Sequence, residues 1–414
     1  MPTMSSKDRL ESNHHFAVEK VCPSTSARAG WLNTARGRVP TPLFMPVGSR
    51  GCVKTLMPEE VAGAGVKMVL GNTYHLYLRP GIETIKSLGG LHRFTGWHGP
   101  MLTDSGGYQV FSLASLRSVS EEGVLFRSHI DGSEHFFTPE RVVQFQESLG
   151  ADVIMPLDHC PPYTLERGPV REATNRTHNW AARSLRALQC REQALYGIVQ
   201  GGVFPEIRRE SSRVITDLGF PGYAIGGLSI GEPKVVTLSV LEETVPELPA
   251  DKPRYLMGVG SPEDLLESVA RGIDLFDSAL PTRTARNGAL FTADGRRNIL
   301  NARYRTLDAP IDDECDCHTC RAFSAAYLHH LFKTRELLAY RLATIHNLRF
   351  IVRFMDALRQ SIVEAEFQEF RTNFLNRYRT TDEETRLAQK QKWLSRPFKG
   401  FDGSHSSQDT GIIT

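Results

Sequence analysis

The sequence predicts a parallel (β/α)8 barrel followed by a small metal-binding subdomain. Three observations carry that reading. Short, almost continuous apolar runs recur along the chain, as strands buried on both faces should. Helical periodicities fill several of the gaps between them. After the last run the composition changes, and three cysteines crowd into six residues at Cys315, Cys317 and Cys320.

In order, the apolar runs are TPLFMPVGS (41–49), KMVLGN (67–72), PMLTDS (100–105), ADVIMPLD (151–158), ALYGIVQGG (194–202), GYAIGGL (222–228), RYLMGVG (254–260) and DLFDSALP (274–281). The intervening segments PEEVAGAGV, PERVVQFQESLG, REATNRTHNWAARSLRAL, EIRRESSRVITDLG and SPEDLLESVARG repeat apolar residues every three or four positions. Some open at proline, suited to a first helical turn, and some stop at glycine. Eight strands alternating with helices favour a closed barrel; an open doubly wound sheet is the alternative. Residues 1–15 read as a flexible extension, 16–306 as the barrel, 307–380 as the metal subdomain with closing helices, and 381–414 as a polar, partly flexible tail.

The length of 414 residues suits a barrel with an appendage, and a 40% hydrophobic share can form an ordinary core. A net charge of +2 excludes a polycation but not a local basic patch. No apolar run of about 18 residues is present, so no membrane span is expected. The start MPTMSSKDRLESNHH lacks a signal-peptide core, which points to the cytoplasm. An odd cysteine count of seven argues for metal binding in a reducing compartment over a disulfide framework.

Cys315, Cys317 and Cys320 can bring three thiolates to one small ion, and zinc suits a closed structural site of three sulfurs and one imidazole. His346, inside the last helical pattern, is the preferred fourth ligand. His329 and His330 are rivals, and His318 lies too close to its neighbours to close a tetrahedron easily.

Barrel enzymes act at the C-terminal ends of their strands. Those ends carry Asp104, Asp158 with Cys160, Gln200, Gly226-Gly227-Leu228, Met257 and Asp277. Three carboxylates at one mouth suit acid/base or nucleophilic work, although any one of them alone could cap a helix. The glycine pairs expose backbone to a ligand. Gln200 offers a donor and an acceptor to a heterocycle edge. Tyr108 and Met257 could sandwich a flat base, or simply pack. Beyond the eighth run, Arg283, Arg286, Arg296, Arg297, Arg303 and Arg305 face only Asp294, a stretch that favours phosphate over a plain solvated face.

Taken together, TDSGGYQVFSL (103–113), GIVQGG (197–202), GGLSIGE (226–232), YLMGVG (255–260), FDSALPTRTARNG (276–288) and the cysteine cluster with Ile345-His346-Asn347 resemble the tRNA-guanine transglycosylases. The resemblance spans about residues 16 to 378. It implies exchange of the wobble guanine of tRNAs with G-U-N anticodons for a 7-deazaguanine, through a covalent glycosyl-aspartate. Matched position by position, Asp277 is the nucleophile and Asp104 the acid/base. Asp158, Gln200 and Gly227 read the purine edge, with the Leu228 backbone near the 7-substituent and Tyr108 and Met257 stacking. Arg283 and Arg286 hold the anticodon loop. Cys315, Cys317, Cys320 and His346 bind structural zinc. A homodimer is implied as well.

Within the family, Ile230 and Cys160 fit the bacterial pattern, which implies 7-aminomethyl-7-deazaguanine (preQ1) over bulkier queuine. Departures are His159, in LDHCPPY, and Ser278-Ala279 beside Asp277; they leave the carboxylates in place but bear on pKa tuning. Two other readings compete: a different barrel glycosidase or lyase, and a non-catalytic RNA-binding paralogue. Retention of both Asp104 and Asp277 argues against the second.

Overall fold

The computed structural model describes residues 14–113 and 117–380. Most of the expected extension and all of the tail beyond residue 380 therefore lie outside the described residues. Parallel strands Leu43–Gly48, Val69–Asn72, Met101–Asp104 and Val153–Ile154 pair in chain order. Tyr223–Ile225, Arg254–Leu256 and Leu275–Ser278 continue the order, and the last returns to Leu43–Gly48. The fifth strand closes the ring in two pieces. Ala194–Leu195 pairs with the fourth strand and Gly197–Val199 with the sixth, the switch falling at Tyr196. The sheet is thus a closed eight-stranded barrel, as the alternating runs predict.

The strands are shorter than the apolar runs. The fourth stops at Ile154, so Asp158 and Cys160 stand on the loop beyond it. The interior is filled by Met45, Met68, Leu70, Leu102, Met155, Ile198, Tyr255 and Leu275, so the barrel is a packed core. The five predicted helices form, at Pro58–Gly63, Pro139–Leu149, Arg167–Ala187, Pro205–Asp217 and Pro262–Ala270. Prolines stand at the first position of four of them, where a missing N–H costs nothing.

Three pieces of β-structure were not legible as apolar runs. An antiparallel sheet, Phe16–Val21, Arg28–Thr34 and Gly37–Thr41, plugs the bottom of the barrel. Its Phe16, Leu32 and Val39 join the interior cluster, and Arg28 makes a buried ion pair with Asp274 at 2.6 Å. A second sheet, Arg117–Val119, Val124–Arg127 and Glu134–Phe137, is inserted after the third strand. A hairpin, Ala289–Thr292 with Gly295–Asn298, follows the eighth strand. The final helical pattern resolves into Ala325–Thr334, Leu337–Val363 and Phe367–Arg377.

Candidate active site and metal centre

The second and third strands run side by side so that Asn72 pairs with Asp104. Asn72 caps the helix Thr73–Leu78 through its Oδ1, which accepts the His75 N–H. Its Nδ2 donates to Asp104 Oδ2 at 2.5 Å, and the Thr73 N–H donates to Oδ1 at 3.0 Å. Asp104 thus meets the N-terminus of a neighbouring helix. Burial, reinforced by the negative charges of Asp277 and Asp158 and opposed by backbone N–H donors, pushes its carboxyl up to about 7.

Asp277 lies within the eighth strand. Its Oδ1 accepts the Tyr255 hydroxyl at 2.6 Å and the Gly258 N–H at 2.8 Å. Burial raises its carboxyl above the usual carboxylate range, and those two donors work against the rise.

Asp158 accepts Ser105 Oγ at 3.4 Å and Gln200 Nε2 at 2.7 Å. Burial lifts it to about 6. Gln200 Oε1 is buried and has no hydrogen-bond partner among the described residues. Gly227 lies against it with φ of +69°; a Cβ there would stand 2.3 Å from that oxygen, so only glycine fits. These groups form a wall with a carboxylate acceptor at one end and amide groups at the other. Leu228 is buried beside it.

The following turn is built around Glu232. Its carboxylate accepts the N–H groups of Ser229, Ile230 and Gly231 and the hydroxyl of Thr237. Ile230 is half-buried at this turn. Cys160 is buried, and burial pushes its thiol to about 12, so it is a neutral neighbour.

Tyr108 is exposed on the helix Gly107–Leu113, within electrostatic reach of Arg283 and Cys160. Met257 is half-buried at the end of the seventh strand. Arg283 and Arg286 occupy the helix Leu280–Arg286 directly after Asp277. With Arg50 they depress the Lys54 ammonium, an effect second to burial, so one flank of the mouth is strongly cationic. The rest of the arginine-rich stretch goes elsewhere. Arg297 pairs with Asp294 on the hairpin, and Arg303 lies over the Tyr304 ring.

His159 replaces charge by stacking. Its ring lies 4.5 Å from Phe111, nearly parallel, and Arg176 Nη1 meets its Nδ1 at 3.0 Å. Burial and the Arg176 charge lower it to about 4, so it is a neutral acceptor.

Cys315, Cys317, Cys320 and His346 are all buried, with ligand atoms within 4.8 Å of one another. That spacing fits a tetrahedral zinc, whose ligands sit about 2.0–2.3 Å from the ion. His346 turns Nδ1 toward Cys317 and Cys320, while Nε2 donates to the Phe291 carbonyl at 2.7 Å. Such a bond fixes the tautomer and orients the ligand. The rivals fall away. His329 is spent on the Ile299 carbonyl, and His318 and His330 are exposed.

Asn72, Tyr255 and Glu232 were missed from the sequence. Asn72 carried one signal, a polar residue ending an apolar run. Tyr255 and Glu232 lay within matched motifs without an assigned role.

Fold and site together define a barrel enzyme whose buried Asp104 lies within electrostatic reach of Asp277 and Asp158. The queuine tRNA-ribosyltransferase family profile matches residues 22–380. Queuine tRNA-ribosyltransferases of Dehalococcoides mccartyi (strain ATCC BAA-2266 / KCTC 15142 / 195) and Pelotomaculum thermopropionicum are 56% and 55% identical over 380 and 363 residues. Those spans cover 92% and 88% of this chain and 97% and 98% of the relatives. That of Desulforamulus reducens is 54% identical over 358 residues. The chain belongs to the queuine tRNA-ribosyltransferase family.

Proposed function

We propose that this chain is a tRNA-guanine transglycosylase, a pentosyltransferase that replaces the wobble guanine of G-U-N tRNAs with preQ1. The observation that carries the reading is the grouping of Asp277, Asp104 and Asp158 at one barrel mouth, each in a different hydrogen-bonding environment.

The target base must leave its stack to enter such a mouth. Asp158 accepts the N1–H and exocyclic amine of guanine, and Gln200 with the Gly227 N–H donates to O6. Tyr108 and Met257 cover the ring faces, and Cys160 and Ile230 bound the pocket. Asp277, anchored through Oδ1, attacks C1′ with Oδ2. The C1′–N9 bond breaks, and the departing base takes the proton of the Asp104 carboxyl. The incoming base then returns a proton from its N9 to Asp104. That nitrogen attacks C1′, the C1′–Asp277 ester bond breaks, and two displacements retain configuration. Arg283 and Arg286 hold anticodon-loop phosphates. Ile230 narrows the space beside Leu228 and favours the small aminomethyl group over queuine's ring.

Zinc on Cys315, Cys317, Cys320 and His346 is structural: four protein ligands leave no open position for chemistry. The family resemblance further supports a cytoplasmic homodimer. The chain divides into a barrel over 16–306 and a zinc subdomain with closing helices over 307–380, flanked by the 1–15 extension and the 381–414 tail.

A denaturing gel of enzyme incubated with tRNA and base tests the reading. A shifted band should appear with the unaltered protein and vanish in Asp277→Asn. A band that survives the substitution removes the nucleophile assignment.

A further inference from the structure

Arg208 is wholly buried on the helix Pro205–Asp217. Its hydrogen bonds go to three backbone carbonyls: Nε to Gly202 at 2.9 Å, Nη1 to Val199 at 3.0 Å, and Nη2 to Gly226 at 2.8 Å. These carbonyls bracket Gln200, just past the fifth strand, and precede Gly227, just past the sixth. One turn further along the same helix, Ser211 Oγ accepts the Gln200 N–H at 3.1 Å. A Cβ on Gly227 would lie 3.5 Å from Arg208 Nη2, so the guanidinium sits directly behind that residue. Glu232 acts on Arg208 only from a distance, as a charge. Burying a guanidinium against carbonyls alone is costly, and a barrel needs no such clamp to close.

We propose that Arg208 is a positioning residue for the six-position oxygen of the purine: it fixes and polarises the Gly226–Gly227 peptide so that the Gly227 N–H meets that oxygen. This rests on the transglycosylase reading above. A cation hydrogen-bonded to a peptide carbonyl strengthens the N–H of the same peptide as a donor. When the C1′–N9 bond breaks, the departing base carries negative charge that its ring delocalises onto O6. The guanidinium, one peptide away, stabilises that charge without touching the base. Arg208 thereby makes the site selective for 6-oxopurines.

The test compares guanine with 2-aminopurine, which lacks the 6-oxo group and with it the N1–H, as competitive inhibitors of labelled-guanine exchange. Arg208→Lys should weaken guanine about tenfold or more, the scale of one charge-assisted hydrogen bond, while 2-aminopurine changes by less than about threefold. A general loosening of the pocket would weaken both alike, and that result overturns the proposal. Should the variant not fold, NMR of glycine-labelled, unaltered enzyme decides. Guanine should shift the Gly227 amide and 2-aminopurine should not; an amide unmoved by guanine overturns the proposal. The covalent band of the same preparation separates the two claims. A band without 6-oxo selectivity refutes Arg208's role alone, and loss of the band refutes the underlying function.

Discussion

Titration of the two upper carboxyls should give a bell-shaped profile for kcat/KM toward tRNA. Asp104 must be protonated to release guanine, and its acid form is lost as pH rises through about 7. Asp158 must be ionised to accept the purine N–H groups, and that form is lost as pH falls through about 6. With both conditions required, about 0.6 of the enzyme is competent near pH 6.5 and about 0.1 at pH 5 or pH 8, a roughly sixfold fall on either side. Asn72→Ala removes a donor that favours ionised Asp104, so its carboxyl should rise further. The alkaline limb should move up by about one unit, the worth of one such hydrogen bond. Single-turnover exchange of labelled guanine across pH 5–9, with tRNA kept below its KM, measures both limbs. A flat profile, or an alkaline limb that moves down in Asn72→Ala, would refute the assignment of acid and reader.

Three further outcomes follow from the same geometry. Gly227→Ala places a methyl 2.3 Å from Gln200 Oε1. The displaced amide should lose its bond to Asp158, raising KM for guanine about tenfold to a hundredfold, and the left-handed backbone at that position should lower the melting temperature as well; steady-state exchange and a thermal melt check this. Ile230→Gly should admit queuine, read as queuine competition against labelled guanine; no gain would count against a steric filter. Chelating the zinc should unfold the packing around Leu337–Val363, since structural zinc contributes about 10–16 kcal/mol in small zinc peptides; full activity and an unchanged melt in verified zinc-free protein would contradict a structural role.

The barrel was legible because its strands are buried on both faces and read as unbroken apolar runs. The bottom sheet was not. FAVEKV and GRVPT alternate with charged or small residues, and only contact with the barrel interior makes them strands. Strand ends were placed too far along. In ADVIMPLD the apolar character continues to Leu157 while the pairing stops at Ile154, because the Gln146 side chain takes both backbone groups of Met155 and Pro156 has no N–H to pair. The carboxylates stood out as polar residues terminating apolar runs. Their helpers did not. Tyr255 reads as an ordinary core aromatic, and only its hydroxyl's direction reveals a tie to Asp277. Arg208 reads as one charge among several in EIRRESSR, and its burial is invisible until helix and strand ends are brought together.

Two consecutive residues of the longest helix face different duties. His346 turns to the cysteines and is steadied by Phe291. Asn347 holds the Pro281 and Ala289 carbonyls and the Phe291 N–H, at the start and just beyond the end of the segment that follows Asp277. A single helical turn therefore bolts the metal knuckle to the backbone that frames residue 277. Drift in either duty is constrained by the other, so loss of zinc would slacken the backbone beside residue 277 as well as the cysteine knuckle.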